Sequence, residues 1–149
     1  MVAALADDQR RRAVHFMRAM SSSVNGLKGI RVLLIEDDPY SRIALTALLV
    51  GDGAKVVVAE CGRAALAIDG DAVFDVVLTD LGLPDIPGDV LVRALLARAA
   101  VRPRVVVMTG YGEPHLTRAR ESGADVILLK PVDWAALRAH LPPEQRSAA

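Results

Sequence analysis

The sequence predicts an α/β protein built on a parallel sheet with helices on both faces, and three observations carry that prediction. Five short apolar runs, residues 30–35, 55–59, 75–79, 105–108 and 126–129, read as strands covered on both sides. Helix-forming stretches separate them, long enough to cross from one parallel strand to the next. Four of the runs end in polar groups with chemistry: Glu36-Asp37-Asp38, Asp80, Thr109 and Lys130-Pro131.

Taken in order, the first strand ends in acids, and Asp38-Pro39 starts a helix, with a carboxylate at the N-cap and proline at the first helical position. Ile43, Ala44, Ala47 and Leu48 are its expected buried stripe, and Gly51 and Gly53 stop it. Strand 55–59 leads through Cys61, a small residue at a turn, into a short alanine-rich helix from Arg63 to Ile68. Strand 75–79 delivers Asp80 to its carboxyl end, where Gly82 and Pro84 forbid continuation. Val90, Leu91 and Leu95 mark the third helix. Pro103 precedes the fourth strand, the turn 110–112 follows it, and a fourth helix begins at Glu113-Pro114 and ends at Ser122-Gly123. After the fifth strand, Asp133 caps a last helix holding Leu137 and Leu141, with Pro142-Pro143 as its stop. Right-handed crossovers turn five such units into a doubly wound sheet, most often in the flavodoxin-like order 2-1-3-4-5. That order gathers the ends of strands 1, 3, 4 and 5 on one rim.

The 149 residues suit one domain with one substantial core. With 52% hydrophobic but only 3% aromatic residues, that core is built from Val, Leu, Ile and Ala. Lys+Arg and Asp+Glu balance at 18 each, which argues against a dedicated nucleic-acid binder. A single cysteine excludes an internal disulfide. No apolar run approaches the ~20 residues of a membrane span, and no secretory h-region is present, so a cytoplasmic protein without membrane insertion is expected. Residues 1–28 read as a loosely attached arm or short helix, with Val14, Met17 and Met20 at three-residue spacing beside Phe16. His15 within it is expected to be exposed and idle. Residues 29–141 are expected to form the main domain and 142–149 a frayed tail, and no output domain is expected after it.

The rim set is chemically specific. Two carboxylates ~4 Å apart repel by about 4 kcal/mol at an effective dielectric near 20. Glu36, Asp37 and Asp80 together therefore call for a cation or for raised pKa values. Hard oxygen ligands of this kind suit Mg²⁺. Lys130 adds a compact positive charge and Thr109 a hydroxyl. A carboxylate can itself be the nucleophile of phosphoryl transfer. Asp80, alone at the central strand end, is the choice for it, with Glu36 and Asp37 better placed for metal.

The segments Leu34-Ile-Glu-Asp-Asp-Pro39, Leu78-Thr-Asp-Leu-Gly-Leu-Pro84, Val107-Met-Thr-Gly110 and Gly123-Ala-Asp-Val-Ile-Leu-Leu-Lys-Pro131 resemble the receiver domain of bacterial two-component response regulators, in the right order over about residues 30 to 141. The resemblance implies that Asp80 accepts a phosphoryl group from phosphohistidine on a histidine kinase or histidine phosphotransfer protein. It implies Mg²⁺ on Asp37, Asp80 and the Gly82 carbonyl, with Glu36 assisting through water, and Thr109 and Lys130 on the phosphoryl oxygens. It implies a cis Lys130-Pro131 bond, self-catalysed phosphorylation and dephosphorylation, and signalling to a downstream protein. A homodimer through the helix 4–strand 5–helix 5 face is compatible with it. The family's usual aromatic residue three before the lysine is Ile127 here, so the switch is expected in loop 110–112 and helix 4 instead.

Other polar residues receive plainer readings. Asp38 is an N-cap; Asp85 and Asp89 are solvated; Asp125 is a turn residue; Asp75 starts its strand and points outward. His115 and His140 are ordinary surface residues. Trp134 is split evenly between the core and the output face. Three other functions compete: a receiver module of a hybrid sensor kinase, a phosphorylation-independent binding module, and an Mg²⁺-dependent phosphatase. The last wants a second aspartate two residues after the nucleophile, where Gly82 stands.

Overall fold

The structure, a computed structural model, describes residues 26–143. The expectations for the arm up to Asn25, His15 included, and for the tail from Glu144 lie outside the described residues. The strands are β1 (Arg31–Ile35), β2 (Lys55–Ala59), β3 (Val76–Asp80), β4 (Arg104–Thr109) and β5 (Val126–Leu129). The helices are α1 (Pro39–Gly51), α2 (Gly62–Leu66), α3 (Gly88–Arg98), α4 (His115–Ser122) and α5 (Trp134–Ala139). All strand pairs are parallel and the order is β2-β1-β3-β4-β5, as the alternation of elements predicts.

Because side chains alternate along a strand, each strand feeds two cores. On one face Val32, Leu34, Val76, Leu78, Val106 and Met108 pack with Leu49 of α1 and Leu137 of α5. On the other, Leu33, Ile35, Val77, Val105 and Val107 pack with Ala65 of α2, Leu91, Val92 and Leu95 of α3, and Ala119 of α4. The central strand β3 is buried along its whole length. The packed body also reaches into the segment assigned to the arm: Leu27 is fully buried, and its N–H donates to the Asp52 carbonyl at 2.8 Å.

Several local expectations are corrected. In α1 the inward residue is Leu49, with Leu45 partly buried beside it, while Ile43 and Leu48 are exposed and Ala44 and Ala47 face outward with them. The helix is apolar nearly all round, so its periodicity alone could not orient it. Val90 is likewise exposed, and Val92 takes the inward place beside Leu91 and Leu95. Helix α2 spans only Gly62–Leu66, and α5 ends at Ala139, leaving buried Leu141 just beyond it.

Three carboxylates given plainer readings, Asp85 as solvated, Asp75 as outward and Asp125 as a turn residue, hold distant parts of the chain. Asp85 accepts from the amides of Gly62 (2.9 Å) and Arg63 (2.8 Å), capping α2 from a distant loop. Asp125 pairs with Arg102 at 2.9 Å and accepts the Val105 amide at 2.7 Å. Asp75 accepts the Arg31 amide at 2.8 Å. Asp38 is the N-cap of α1, accepting from the Ser41 amide at 2.8 Å, as its Asp-Pro context predicts. Cys61 caps α2 through its sulfur, and Asp133 caps α5. Trp134 is partly buried and packs against the α1/α5 core.

Candidate functional site: an acidic crevice at the strand ends

Four strands end on one rim, and the backbone beyond each places a polar side chain. After β1 the Glu36 amide still donates to the Ala59 carbonyl, so the acidic turn starts from a fixed strand. Arg42, one turn into α1, then holds that turn: its Nη1 donates to the carbonyls of Glu36 (2.9 Å) and Asp37 (3.1 Å). The sequence reading missed Arg42. Its only signal was a charged residue on a helix otherwise almost free of charge.

Asp80 ends β3 with 8% of its surface exposed. The Gly82 amide donates to Oδ1 at 3.1 Å, and the Thr79 hydroxyl donates to the Asp80 carbonyl at 3.0 Å. The loop after it can fold back because residue 88 is glycine. A Cβ there would lie 2.5 Å from the Leu81 Cα and 2.9 Å from the Asp80 carbonyl oxygen. Gly82 is similarly close to a neighbour, since a Cβ on it would meet the Tyr111 ring at 3.0 Å. Gly88 and Tyr111 were not singled out from sequence. A glycine opening a helix after Pro87 was the available hint for the first.

Strand register sets the other half. Asp80 pairs with Met108, which puts Thr109 one residue further along β4. Thr109 is fully buried; its Oγ1 accepts the Tyr111 amide at 3.0 Å, and its carbonyl accepts the Lys130 amide at 2.8 Å. That bond anchors the lysine backbone beside β4, and the next peptide, Lys130-Pro131, is cis as expected. The Lys130 ammonium reaches back to donate to Asp80 Oδ2 at 2.6 Å and lies 3.6 Å from Glu36 Oε2. Ile127 packs into the α2/α3/α4 core, so β5 offers no surface aromatic at that position.

The three acids do converge. One carboxylate oxygen from each of Glu36, Asp37 and Asp80 lies within 4.8 Å of the others. Glu36 is 1% exposed and Asp37 is exposed. Burial pushes the Glu36 pKa upward; Lys130 and the Asp38 amide oppose this, and the charges of Asp80 and Asp37 add to it. Burial pulls Lys130 down, but its hydrogen bond to Asp80 and the charges of Asp80 and Glu36 outweigh that, so its pKa rises. One lysine thus reaches two of the three acids. Glu36 Oε2 is buried with no hydrogen-bond partner. A buried carboxylate oxygen without a donor, on a residue grouped with two more carboxylates, is a fit for a hard divalent cation or its bound water.

The family model described as the response regulator receiver domain matches residues 32–142. KdpE of Escherichia coli, the KDP operon transcriptional regulatory protein, is 36% identical over 110 residues, covering 74% of this chain and 48% of KdpE. The virulence sensor protein BvgS of Bordetella pertussis is 34% identical over 119 residues, covering 75% of this chain. The chain spans only a tenth of the length of BvgS, whose match covers 10% of that protein. A solved response regulator from Burkholderia pseudomallei, with a phosphorylated aspartic acid, a calcium ion and citrate, superposes with a TM-score of 0.70 at 28% identity, covering 76% of this chain and 66% of that one. Sheet order, crevice and relatives agree: the chain belongs to the response regulator receiver domain family of two-component systems.

Proposed function

We propose that this chain is a phosphoacceptor whose Asp80 takes a phosphoryl group from a phosphohistidine on a histidine kinase or histidine phosphotransfer protein. The observation that carries it is the pairing of three carboxylates within 4.8 Å with one lysine 2.6 Å from Asp80. In the transfer, an Asp80 carboxylate oxygen forms a P–O bond as the P–N bond breaks, and the electron pair returns to the donor imidazole. Lys130 moves from carboxylate to phosphoryl oxygen, and the Thr109 hydroxyl donates to another. Asp37, Asp80 and the Gly82 carbonyl are the residues that would hold Mg²⁺, with buried Glu36 orienting a water on it. When bound, Mg²⁺ neutralises charge on the phosphoryl oxygens.

Phosphorylation adds about 1.5 to 2 negative charges' worth of phosphoryl and new acceptor oxygens. Thr109 then turns toward them and releases the Tyr111 amide, which shifts loop 110–112 and α4. The same crevice accounts for dephosphorylation by the domain itself. The α4–β5–α5 surface, with Leu129 exposed on β5, is the contact for a downstream protein or a second copy. The receiver unit is taken as residues 29–141, with Leu27 packed into its core. Among the described residues no helix is long and apolar enough to cross a membrane, which agrees with a cytoplasmic setting for this unit. The likeness to BvgS favours a second reading, in which the same chemistry serves as one module of a larger sensor.

The test is to mix the protein with Mg²⁺ and acetyl phosphate or phosphoramidate and measure intact mass. One added phosphoryl group is expected in the wild type and none in Asp80→Ala. No gain in the wild type, or an equal gain in the variant, overturns the assignment.

A further inference from the structure

Strand β2 is an edge of the sheet, and its outer side is unguarded. The Lys55 amide donates to the Ile30 carbonyl at 2.9 Å, and the Ala59 carbonyl accepts from the Glu36 amide at 3.1 Å. Backbone groups alternate sides along a strand, so Lys55, Val57 and Ala59 bond toward β1. The amides and carbonyls of Val56 and Val58 point the other way, and among the described residues no strand lies on that side. Sheet edges are commonly blunted by proline, by charge or by a bulge. The middle of β2 has none of these: its register with β1 is unbroken, and Val56-Val57-Val58 fills it. Val57 is 38% and Val58 40% exposed.

The helix above this edge is open as well. Helix α1 lies over β1 and β2. Its only charged residue, Arg42, is turned onto the Glu36 and Asp37 carbonyls. Its C-cap shows which flank faces where. Asp52 is held by Arg138 of α5 at 2.7 Å, so that flank faces α5. Ile43 lies nine residues before Asp52, about two and a half turns, and therefore on the opposite flank, above the free edge of β2. Val50, seven residues after Ile43, shares that flank. Ile43 is 68% and Val50 53% exposed. Val56 packs into the α1/α5 core, so Val56 and Val58 lie on the α1 side of the sheet and carry the apolar flank down to the edge. An apolar patch that runs from a helix flank to open backbone groups marks a contact with another chain.

The charges of β2 select a second copy of itself. Lys55 opens the strand and Glu60 follows its end, and both are exposed. Antiparallel pairing brings the Lys55 end of one copy to the Glu60 end of the other, and a two-fold axis repeats the attraction. Parallel pairing would set lysine beside lysine. With the axis at Val57, Val56 stands opposite Val58 of the partner subunit, exchanging both N–H···O=C bonds, and Val57 stands opposite Val57 of the partner subunit. Such an axis is perpendicular to the sheet, so the two α1 helices lie on one face and meet along their Ile43–Val50 flanks. The α4–β5–α5 surface stays open for a downstream protein.

We propose that two copies of this chain associate through antiparallel β2 edges, backed by the Ile43–Val50 flanks of α1, and so join their sheets into one. The proposal rests on the edge and the helix flank and needs no phosphoryl group.

Sedimentation velocity of the full chain, from micromolar to hundreds of micromolar, is the first test. A concentration-dependent dimer is expected. A monomer throughout overturns the proposal and leaves the edge to another segment of the chain or to another protein. Val57→Lys is expected to weaken the dimer roughly tenfold or more, because the axis sets each lysine against its own copy, and Val57→Glu acts likewise. Mixing the two variants is expected to restore a dimer holding one of each, read by native mass spectrometry, which also shows that both variants fold. A mixture no more associated than either variant alone overturns the pairing. Leu129→Lys, on the α4–β5–α5 surface, is expected to leave the dimer intact. A dimer broken by Leu129→Lys and untouched by Val57→Lys overturns the proposal and moves the interface to the other edge. In a Cys61→Ser background, Val57→Cys is expected to close a disulfide between the two copies under mild oxidation. Its failure to do so in a sample that sediments as a dimer overturns the register.

Discussion

The two ends of this sheet treat carboxylates in opposite ways. At the amino ends of the strands, each aspartate has its donors close by. Asp52 takes Arg138 Nε at 2.7 Å and the Gly26 amide, Asp125 takes Arg102 and the Val105 amide, and Asp75 takes the Arg31 amide. At the carboxyl ends, Glu36 and Asp80 share one lysine with Asp37 close beside them, and Glu36 Oε2 is buried without a hydrogen bond. The residue types barely differ. What differs is whether the surroundings complete the charge, and an incomplete set is a set that waits for something else. The lower carboxylates hold strands and helix ends in register. The upper ones crowd three carboxylates within 4.8 Å of one another, beside a lysine.

That contrast can be broken at either end. The largest expected effect is functional: Asp80→Ala abolishes phosphoryl uptake by intact mass while the urea midpoint stays near or above the wild-type value, since a crowded charge is removed. A collapse in stability would mean that Asp80 holds the fold as the lower aspartates do. Next comes Arg138→Ala, which leaves Asp52, with 9% of its side chain exposed, next to a single amide. A loss of about 2 kcal/mol in urea unfolding is expected, the cost of a partly compensated buried charge.

Glu36→Gln sharpens the contrast in the other direction. With a chelator present, it is expected to raise stability by about 1 kcal/mol at neutral pH, because the buried carboxylate has one charge partner and two like neighbours. The sign is set by its raised pKa. Its stabilising part is complete below its ordinary value of 4.5 and is lost as the pH climbs through the higher folded value. The wild type should therefore gain stability on acidification from neutrality toward 4.5, and the glutamine variant should lack that gain.

Asp125 runs the opposite way. Burial works to raise its pKa, but Arg102 and the Val105 amide outweigh this and hold it below 3.8. Its contribution is present above 3.8 and fades as the pH falls through the lower folded value. Asp125→Asn is expected to cost about 1 kcal/mol at neutral pH and progressively less below pH 3.8, read from urea curves across pH. If Glu36 and Asp125 gave slopes of the same sign, the division between the two ends would fail.

Residue type and order settled a good deal in this chain. Continuous Val/Leu/Ile runs bounded by acids, glycines and prolines specify parallel strands, because only a strand covered on both faces has no polar side to show. Asp38-Pro39 and Asp133 mark helix starts through local capping chemistry. The crevice acids, Asp80, Thr109 and Lys130 stand at strand ends for the same local reason, and parallel topology sends all those ends to one rim. What needed the folded chain is everything set by a partner far away in sequence. Helix α1 is apolar on nearly every side, so its orientation came from the Arg42 contacts and the sheet rather than from its own pattern. Asp85 looked solvated and Asp125 a mere turn residue because their donors, the α2 amides and Arg102, lie 22 or 23 residues away. Backbone chemistry acts over one turn of chain and can be read in order. Charge compensation acts across space, and only the packed structure decides which acids are answered and which are left open.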